Sequence, residues 1–331
     1  MYYQPVPIRA TVEGAKKSVI HEEVDFCGMR PTRAQLIWVF NAFCFIAHTI
    51  WIVVCFLAVR GKGDRMNVRV YRPRAIWNST AETGDGYDLD LVDNGMPLRI
   101  DILTISFFAL SALAHFCVVI FGALPISNYF YWLQVERAFH WHRWAEYSIS
   151  APIMLLGIGL ICGVRDQATL ASIVVLMWTT IAMGFLTEIV STPSEDLESW
   201  IGDEPRNGQT KREARQLNYV RRMLPHVIGI FSYISAWAMI LYGFTQSLDD
   251  VREHDKELYE RMPKFVYAIV YGSFAIFTLF TIPQIRYQMI APKYYYRAEY
   301  WYCTLSLFAK SYLGALLYVN VLRKASVDEA L

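Results

Sequence analysis

Lys310 lies in the middle of an apolar segment that runs from about Arg297 to Leu322. About 12 residues on either side place its ammonium group about 18 Å from each end of a helix, too far for the side chain to reach an interface. A charged lysine at the bilayer centre costs roughly 2.5 to 3.5 kcal/mol on insertion scales. Three arrangements relieve this cost: a paired carboxylate, a Schiff base with a carbonyl compound whose proton a carboxylate holds, or a wet cavity between helices.

Glu146, within the segment RWAEYSIS at 143–150, is the deepest carboxylate in the sequence. It lies about 14 residues into its apolar run and Lys310 about 13 into its own, so both are expected about 20 Å from the same membrane face. Ser150 follows Glu146 by one helical turn, and Ser306 precedes Lys310 by one, so each charge has a hydroxyl on its own face. The pattern predicts a buried ion pair, for which a purely structural salt bridge is the alternative.

Two histidines, His48 and His115, lie in other apolar runs, and Ser111 precedes His115 by one helical turn. A single histidine on an apolar helix is often only a packing residue. Two of them beside one lysine and one carboxylate favour a proton-handling cluster, because imidazole holds and releases a proton near neutral pH.

The elements that must position these residues are membrane spans. The chain has 331 residues, 55% of them hydrophobic and 15% aromatic, with a net charge of +1. This composition predicts an all-α membrane protein in a lipid bilayer, and the absence of a basic stripe gives no reason to expect nucleic acid as a partner. Residues 1–331 are predicted to form one seven-helix bundle. The apolar runs lie near 35–59, 99–123, 132–162, 167–192, 218–247, 263–284 and 297–322.

Two loops carry further signals. In the long first loop, residues alternate between apolar and polar from Met66 to Tyr71, and Gly84-Asp85-Gly86 is typical of a turn, which predicts a small β-ribbon over the membrane. This ribbon could cap the protein or form the contact of a homodimer, and a solvated loop is the alternative. The loop from Pro193 to Gln216 mixes charges with Gly and Pro and is expected to be a flexible connection.

Lysine and arginine are almost equally divided between the two sides of the membrane, so the positive-inside rule barely decides the orientation. The tightest basic cluster, within 211–222, lies on the side of the N-terminus, and the one glycosylation sequon, at 78–80, lies on the other. Both indicate a cytoplasmic N-terminus and an extracellular C-terminus.

These features together resemble the heliorhodopsins, and the resemblance covers nearly the whole chain. It is carried by the long first loop and by a set of membrane-embedded polar residues: the segment 143–150, Ser306, Lys310, His48, Ser111 and His115.

The resemblance implies a light-absorbing retinal protein with a cytoplasmic N-terminus. It implies that Lys310 binds all-trans retinal as a protonated Schiff base and that Glu146 is its sole counterion. It further implies that His48 and His115 belong to the cluster that takes up the released proton.

A light-driven pump needs titratable groups on both sides of the Schiff base. Many microbial pumps place a second acid about three turns beyond the counterion, and Gly157 occupies that position here. The remaining acids Glu136, Glu188 and Glu299 cluster toward the cytoplasmic side. We therefore expect a photosensory receptor that transfers a proton internally and signals to a partner.

Two alternatives remain open. A light-gated passive proton channel would use Glu188, Glu146 and the histidines as its path. A seven-span receptor or transporter without retinal would leave Lys310 as a free amine and the protein colourless. An enzyme is not expected, since Gly157-Ile158-Gly159 lies in a span and not after a strand, so it is no phosphate loop.

Aromatic side chains are expected around a polyene. The candidates are Trp144, Trp237, Tyr271, Phe274 and Phe277, and the sixth span contains no tryptophan.

Overall fold

The computed structural model describes residues 32–77, 87–93, 97–123, 131–132, 134–135, 138–191, 211–260, 264–290 and 294–325. Within these residues, seven helices are long and apolar enough to cross a membrane, which confirms the predicted seven-span bundle. They are α1 (Arg33–Val59), α2 (Ile100–Ala123), α3 (Trp141–Ile161), α4 (Gln167–Ser191), α5 (Lys211–His254), α6 (Lys264–Tyr287) and α7 (Tyr296–Leu322).

The helices pack largely in chain order. Each of α1 to α4 packs against the next helix, α6 packs against α7, and α7 packs against α1. Helix α3 is the most enclosed, with 72% of its most apolar stretch buried, against 50% or less in the other six. A residue on α3 therefore faces other helices on most sides, which is the environment that Glu146 requires.

Helix α3 begins later than the sequence predicts. It starts at Trp141 and not near 132, because Ala138 has a φ of 55°, a left-handed conformation that interrupts a right-handed helix. Tyr131 and Val135 are nevertheless buried, so the chain already lies inside the bundle before α3 begins. Glu146 therefore lies deep in the bundle, although α3 begins at a later residue than the one from which the depth of Glu146 was counted.

Helix α5 is longer than predicted and begins at Lys211. The expectation of a flexible connection up to Gln216 is therefore wrong for its last residues, while the part at 192–210 lies outside the described residues. A short helix, Lys256–Glu260, follows α5.

Helices α6 and α7 contain π-helical turns. In α6 the first is Ala268–Gly272, and the second, Ile285–Ile290, begins in α6 and continues past its end. Helix α7 ends in Tyr318–Leu322. A π turn inserts one extra residue and rotates the faces of the helix that follow it.

The first loop forms the predicted β-ribbon, although its strands lie further along than expected. Strand β1 (Asn67–Val68) pairs with β4 (Leu98–Arg99), and the longer β2 (Tyr71–Trp77) pairs antiparallel with β3 (Tyr87–Asp93). The predicted turn at 84–86 and the sequon at 78–80 lie outside the described residues.

The ribbon is fixed to the loop between α3 and α4. The backbone N–H of Tyr71 donates a 2.9 Å hydrogen bond to the carbonyl of Arg165, and Tyr71 also forms a parallel bridge with Asp166.

Two contacts join α1 to α7. The indole of Trp51 donates to the Ser311 hydroxyl over 3.1 Å. Beyond the end of α1, the ammonium group of Lys62 donates to the carbonyl of Leu322 and, over 2.6 Å, to that of Lys324. Lys62 thereby satisfies carbonyl groups that the end of a helix leaves without intrahelical partners.

Candidate functional site

Lys310 and Glu146 form the predicted buried ion pair. Lys310 Nζ lies 2.9 Å from Glu146 Oε1, and the two residues are 3% and 9% exposed. Lys310 Nζ also donates to the hydroxyl of Ser306 over 3.0 Å, and the Ser111 hydroxyl donates to Glu146 Oε1 over 2.7 Å. The pair therefore has supporting hydrogen bonds from α2 and α7, which a charge pair removed from water needs.

A large cavity begins at this pair. It lies between α3, α4, α5, α6 and α7, and the centre of a water-sized sphere can occupy about 110 Å³ of it. Its wall is mainly apolar and aromatic, and the polar groups include Lys310, Ser306 and Ser150. An apolar and aromatic wall with a few polar groups is typical of a site for a small lipophilic molecule.

Trp144 and Tyr147 line the cavity on the α3 side. Lys310 Nζ lies 5.3 Å from the centroid of the Tyr147 ring, within range of a cation–π interaction. The ring of Trp144 lies over Gly184 of α4, where a Cβ atom would come within 2.6 Å of the indole. Because Gly184 has no side chain, it leaves the space that the Trp144 ring occupies.

Only part of the predicted aromatic set lines the cavity. Trp144 and Phe277 do, whereas Trp237 and Phe274 form a layer behind Tyr233, whose ring stacks on Phe274 at 5.8 Å. Tyr271 is 54% exposed, so the expectation that it packs around a ligand in this cavity is wrong. It lies in a π turn, which changes the face that a regular helix would predict.

Four aromatic residues of the wall are missing from the sequence-based set: Tyr147, Tyr233, Phe280 and Tyr302. Helical spacing was a usable signal for two of them. Tyr233 lies one turn before Trp237, and Phe280 lies three residues after Phe277.

His48 and His115 come together as expected. Their rings stack with centroids 5.5 Å apart, and His115 Nδ1 lies 2.8 Å from Asn41 Oδ1. His48 is fully buried, and neither of its ring nitrogens has a hydrogen-bond partner among the described residues. Its neighbours include the ring of Phe108 at 5.9 Å.

A second, smaller cavity lies beside the ion pair, on the side of Glu146. It touches Glu146 and His115 and extends to the start of α3 and α7. Its wall is much more polar than that of the large cavity: it includes Asn41, His140, His142, Arg143, Glu299 and Ser306.

A buried ionic cluster that sequence reasoning missed lies at the far end of this second cavity. Arg143 is paired with Glu188 at 2.9 Å and with Glu299. It donates to the Tyr295 hydroxyl over 2.6 Å, and its guanidinium carbon lies 4.0 Å from the Tyr302 ring centroid.

Glu188 also accepts hydrogen bonds from the indole of Trp144, from the Tyr295 hydroxyl and, over 3.2 Å, from the backbone N–H of His140. The acid that the sequence offers as a possible proton path is therefore held in an ion pair. Through Trp144, the cluster also contacts a residue of the large cavity.

Comparisons with known proteins identify the family of this chain. A family model described as Heliorhodopsin matches residues 37–202 and 206–322. A solved structure of a thermophilic rhodopsin from Rubrobacter xylanophilus is similar at 13% sequence identity and a TM-score of 0.46, over 89% of this chain and 99% of that chain. No curated protein matches the sequence. Since the family model covers most of the residues, the chain belongs to the heliorhodopsin family and is a multi-pass membrane protein of this light-sensing, retinal-binding family.

Proposed function

We propose that this protein is a photosensory receptor in which Lys310 binds all-trans retinal as a protonated Schiff base and Glu146 is the counterion. The observation that carries the proposal is the Lys310–Glu146 pair, 2.9 Å apart, with Lys310 in the wall of an apolar cavity. When bound, retinal supplies light absorption and photoisomerisation.

The residues present fit such a chromophore. The ammonium group of Lys310 lies in the wall of the cavity, where an aldehyde can reach it, and Tyr147, Tyr233 and Phe277 give the cavity flat apolar faces. Trp144, which packs closely over Gly184, adds a further flat aromatic face to the wall.

Glu146 holds the positive charge on Lys310 in place, because an opposite charge at this distance stabilises the protonated form. Ser111 and Ser306 orient the two partners through hydrogen bonds. A proton that leaves this pair meets the second cavity, whose wall contains His115, His140 and Glu299. The acceptors are thus internal to the protein.

The distribution of ionisable groups argues against pumping. Beyond Ser150, α3 contains only apolar residues, glycine and proline up to Ile161. At that end of the described bundle, the buried carboxylate Asp101 lies in the first turn of α2, where it pairs with Arg99 at 2.6 Å. A proton relay along α3 therefore has no titratable side chain between Ser150 and that end of the described bundle.

A light-gated passive proton channel is the second candidate. The polar second cavity favours it, because that cavity extends from Glu146 to the ionic cluster around Arg143, which includes Glu188.

The decisive experiment for the chromophore is the addition of all-trans retinal to the purified, full-length protein. The proposal expects a visible absorption band that shifts to the ultraviolet when borohydride reduces the linkage between retinal and Lys310. A colourless protein with free Lys310 would contradict it and would favour the receptor or transporter without retinal.

We further propose that the N-terminus is cytoplasmic and that the C-terminus is extracellular.

We also propose that the protein forms a homodimer through the ribbon. Trp77 and Leu91, on β2 and β3, are 66% and 67% exposed and are suited to such a contact. Cysteines introduced at the two positions should cross-link between chains in native membranes, and failure of both to cross-link would contradict the dimer.

A further inference from the structure

His140 lies immediately before α3 in the ionic cluster and is 4% exposed. Its Nδ1 lies 3.0 Å from Oε2 of Glu299 and 3.3 Å from Nη1 of Arg143. Its backbone N–H donates to Glu188. The rings of Tyr131 and His142 also lie near, with centroids 5.1 and 5.8 Å from that of His140, and His115 is a further titratable neighbour.

The two contacts of Nδ1 select one tautomer. Glu299 can only accept a hydrogen bond when ionised, and Arg143 can only donate one. The shorter contact is with the carboxylate, so Nδ1 carries a hydrogen and donates it to Glu299. Nε2 is then the basic nitrogen of the neutral ring.

Nε2 of His140 has no hydrogen-bond partner among the described residues. His140 lines the second cavity, which Glu146 also lines. The centre of a water-sized sphere can occupy about 40 Å³ of this cavity, which is room for water molecules that can connect the two groups. A basic nitrogen is therefore connected with the Lys310–Glu146 pair through one cavity.

His140 is better suited to hold a proton than His48. The positive charge of a protonated His140 faces the carboxylate of Glu299, which stabilises it. His48 lies between the rings of His115 and Phe108 and lines neither cavity. A charge on His48 would thus be buried without a carboxylate partner, which is costly.

We propose that Nε2 of His140 holds the proton that leaves the Lys310–Glu146 pair after illumination. The N–H bond on the Lys310 nitrogen breaks, and an N–H bond forms at Nε2 of His140, with Glu146 and water in the second cavity as carriers. No electron is transferred. The inference rests on the proposed function and adds to it the site at which the proton is stored.

The first test needs no chromophore. In full-length protein purified without retinal and labelled with ¹⁵N-histidine, the His140 signal is identified by its loss in His140→Asn. The expected neutral form is Nδ1–H with a bare Nε2. A neutral Nε2–H form would overturn the proposal, because the acceptor nitrogen would then already be occupied.

The second test follows histidine bands in light-minus-dark infrared spectra of the labelled pigment. Asn can replace the Nδ1–H donor to Glu299, but it removes the base. His140→Asn should therefore keep the visible band, lose the light-induced imidazolium band and change the decay rate of the deprotonated state about tenfold, which corresponds to one pKa unit of proton affinity.

The matched control is His142→Asn. His142 lines the same cavity, but its ring stacks on Trp141 at a centroid distance of 3.7 Å. The His142→Asn variant should therefore keep the light-induced imidazolium band. An imidazolium band that persists in His140→Asn and disappears in His115→Asn would overturn the proposal.

The experiments distinguish a failure of the retinal-binding proposal from a failure of the His140 proposal. If the chromophore proposal is wrong, no visible band forms, and the tautomer measurement still decides whether Nε2 of His140 is available. If His140→Asn does not assemble, Glu299→Leu is the second variant. It removes the carboxylate that stabilises the imidazolium, so a wild-type imidazolium band in that variant would contradict the storage site.

Discussion

The hydroxyl of Ser111 on α2 donates a 2.7 Å hydrogen bond to the same Glu146 oxygen that accepts one from Lys310. Sequence spacing had placed Ser111 beside His115, and in the structure it binds the carboxylate instead. Three helices therefore meet at one oxygen atom. A change in the charge on Lys310 therefore acts directly on groups of α2 and α3.

Lys310→Ala should abolish the visible band that forms with all-trans retinal, because it removes the amine that forms the covalent link. The protein should still insert, since an apolar residue in the middle of α7 lowers the cost of insertion by roughly 2.5 to 3.5 kcal/mol. Absorption spectra of membranes check this, with Lys264→Ala at the exposed start of α6 as control. An unchanged band in Lys310→Ala would refute the assignment.

Glu146→Gln should move the protonated pigment to longer wavelengths and leave less of it protonated at a given pH. The reason is the loss of the negative charge 2.9 Å from Lys310 Nζ. Spectra recorded over a pH series provide the measurement, and Glu253→Gln, at an exposed position near the end of α5, is the control. A titration identical to that of the wild type would mean that another carboxylate is the counterion.

His48→Ala and His115→Ala should alter the rise or decay of the deprotonated state and leave the dark spectrum nearly intact. Neither side chain contacts Lys310, but His115 shares a cavity with Glu146. Flash photolysis of the two variants measures the effect. Wild-type kinetics in both would mean that these histidines serve packing alone.

Gly184→Ala should destabilise the pigment by about 1 to 3 kcal/mol, the usual range for overpacking a buried site. The added methyl group would come within 2.6 Å of the Trp144 indole and displace it from the cavity wall. The rate of thermal bleaching and the absorption maximum should both change. Gly157→Ala on α3 is the matched control, because a Cβ atom there meets nothing within 4 Å. Equal bleaching rates in the two variants would contradict the role of Gly184.

Illumination should move no net protons without a gradient, since α3 has no titratable side chain from Ala151 to Ile161. Light-induced pH changes in suspensions of expressing cells and currents under voltage clamp test this. A steady pH change that a protonophore abolishes would indicate a pump. A current that reverses with voltage would indicate the channel, and Glu188→Gln would then be the first variant to examine.

The sequence predicted the centre of the site well, because a lone charge in an apolar segment restricts its possible neighbours. Lys310, Glu146 and Ser306 do form one hydrogen-bonded group. The start of α3 was missed although Gln134, Glu136 and Arg137 interrupt the apolar run. The left-handed backbone at Ala138 has no sequence signal, because alanine favours the right-handed helix. The position of Tyr271 depends on a π turn, for which the sequence offers no periodic signal.

The ionic cluster escaped prediction for a different reason. Arg143, Glu188 and Glu299 lie near helix ends, where charged side chains ordinarily reach water. Only the packing of α3, α4 and α7 reveals that these three face each other in the interior.

The bond from Lys62 to the last turn of α7 has a mechanical consequence. Lys62 follows α1 in the chain and precedes the ribbon, and it holds the carbonyl groups of Leu322 and Lys324. A shift of α7 along its axis would therefore displace Lys62 and, with it, the loop that leads to β1. The ribbon is the part of the molecule where a label or an antibody should register the motion of α7 first.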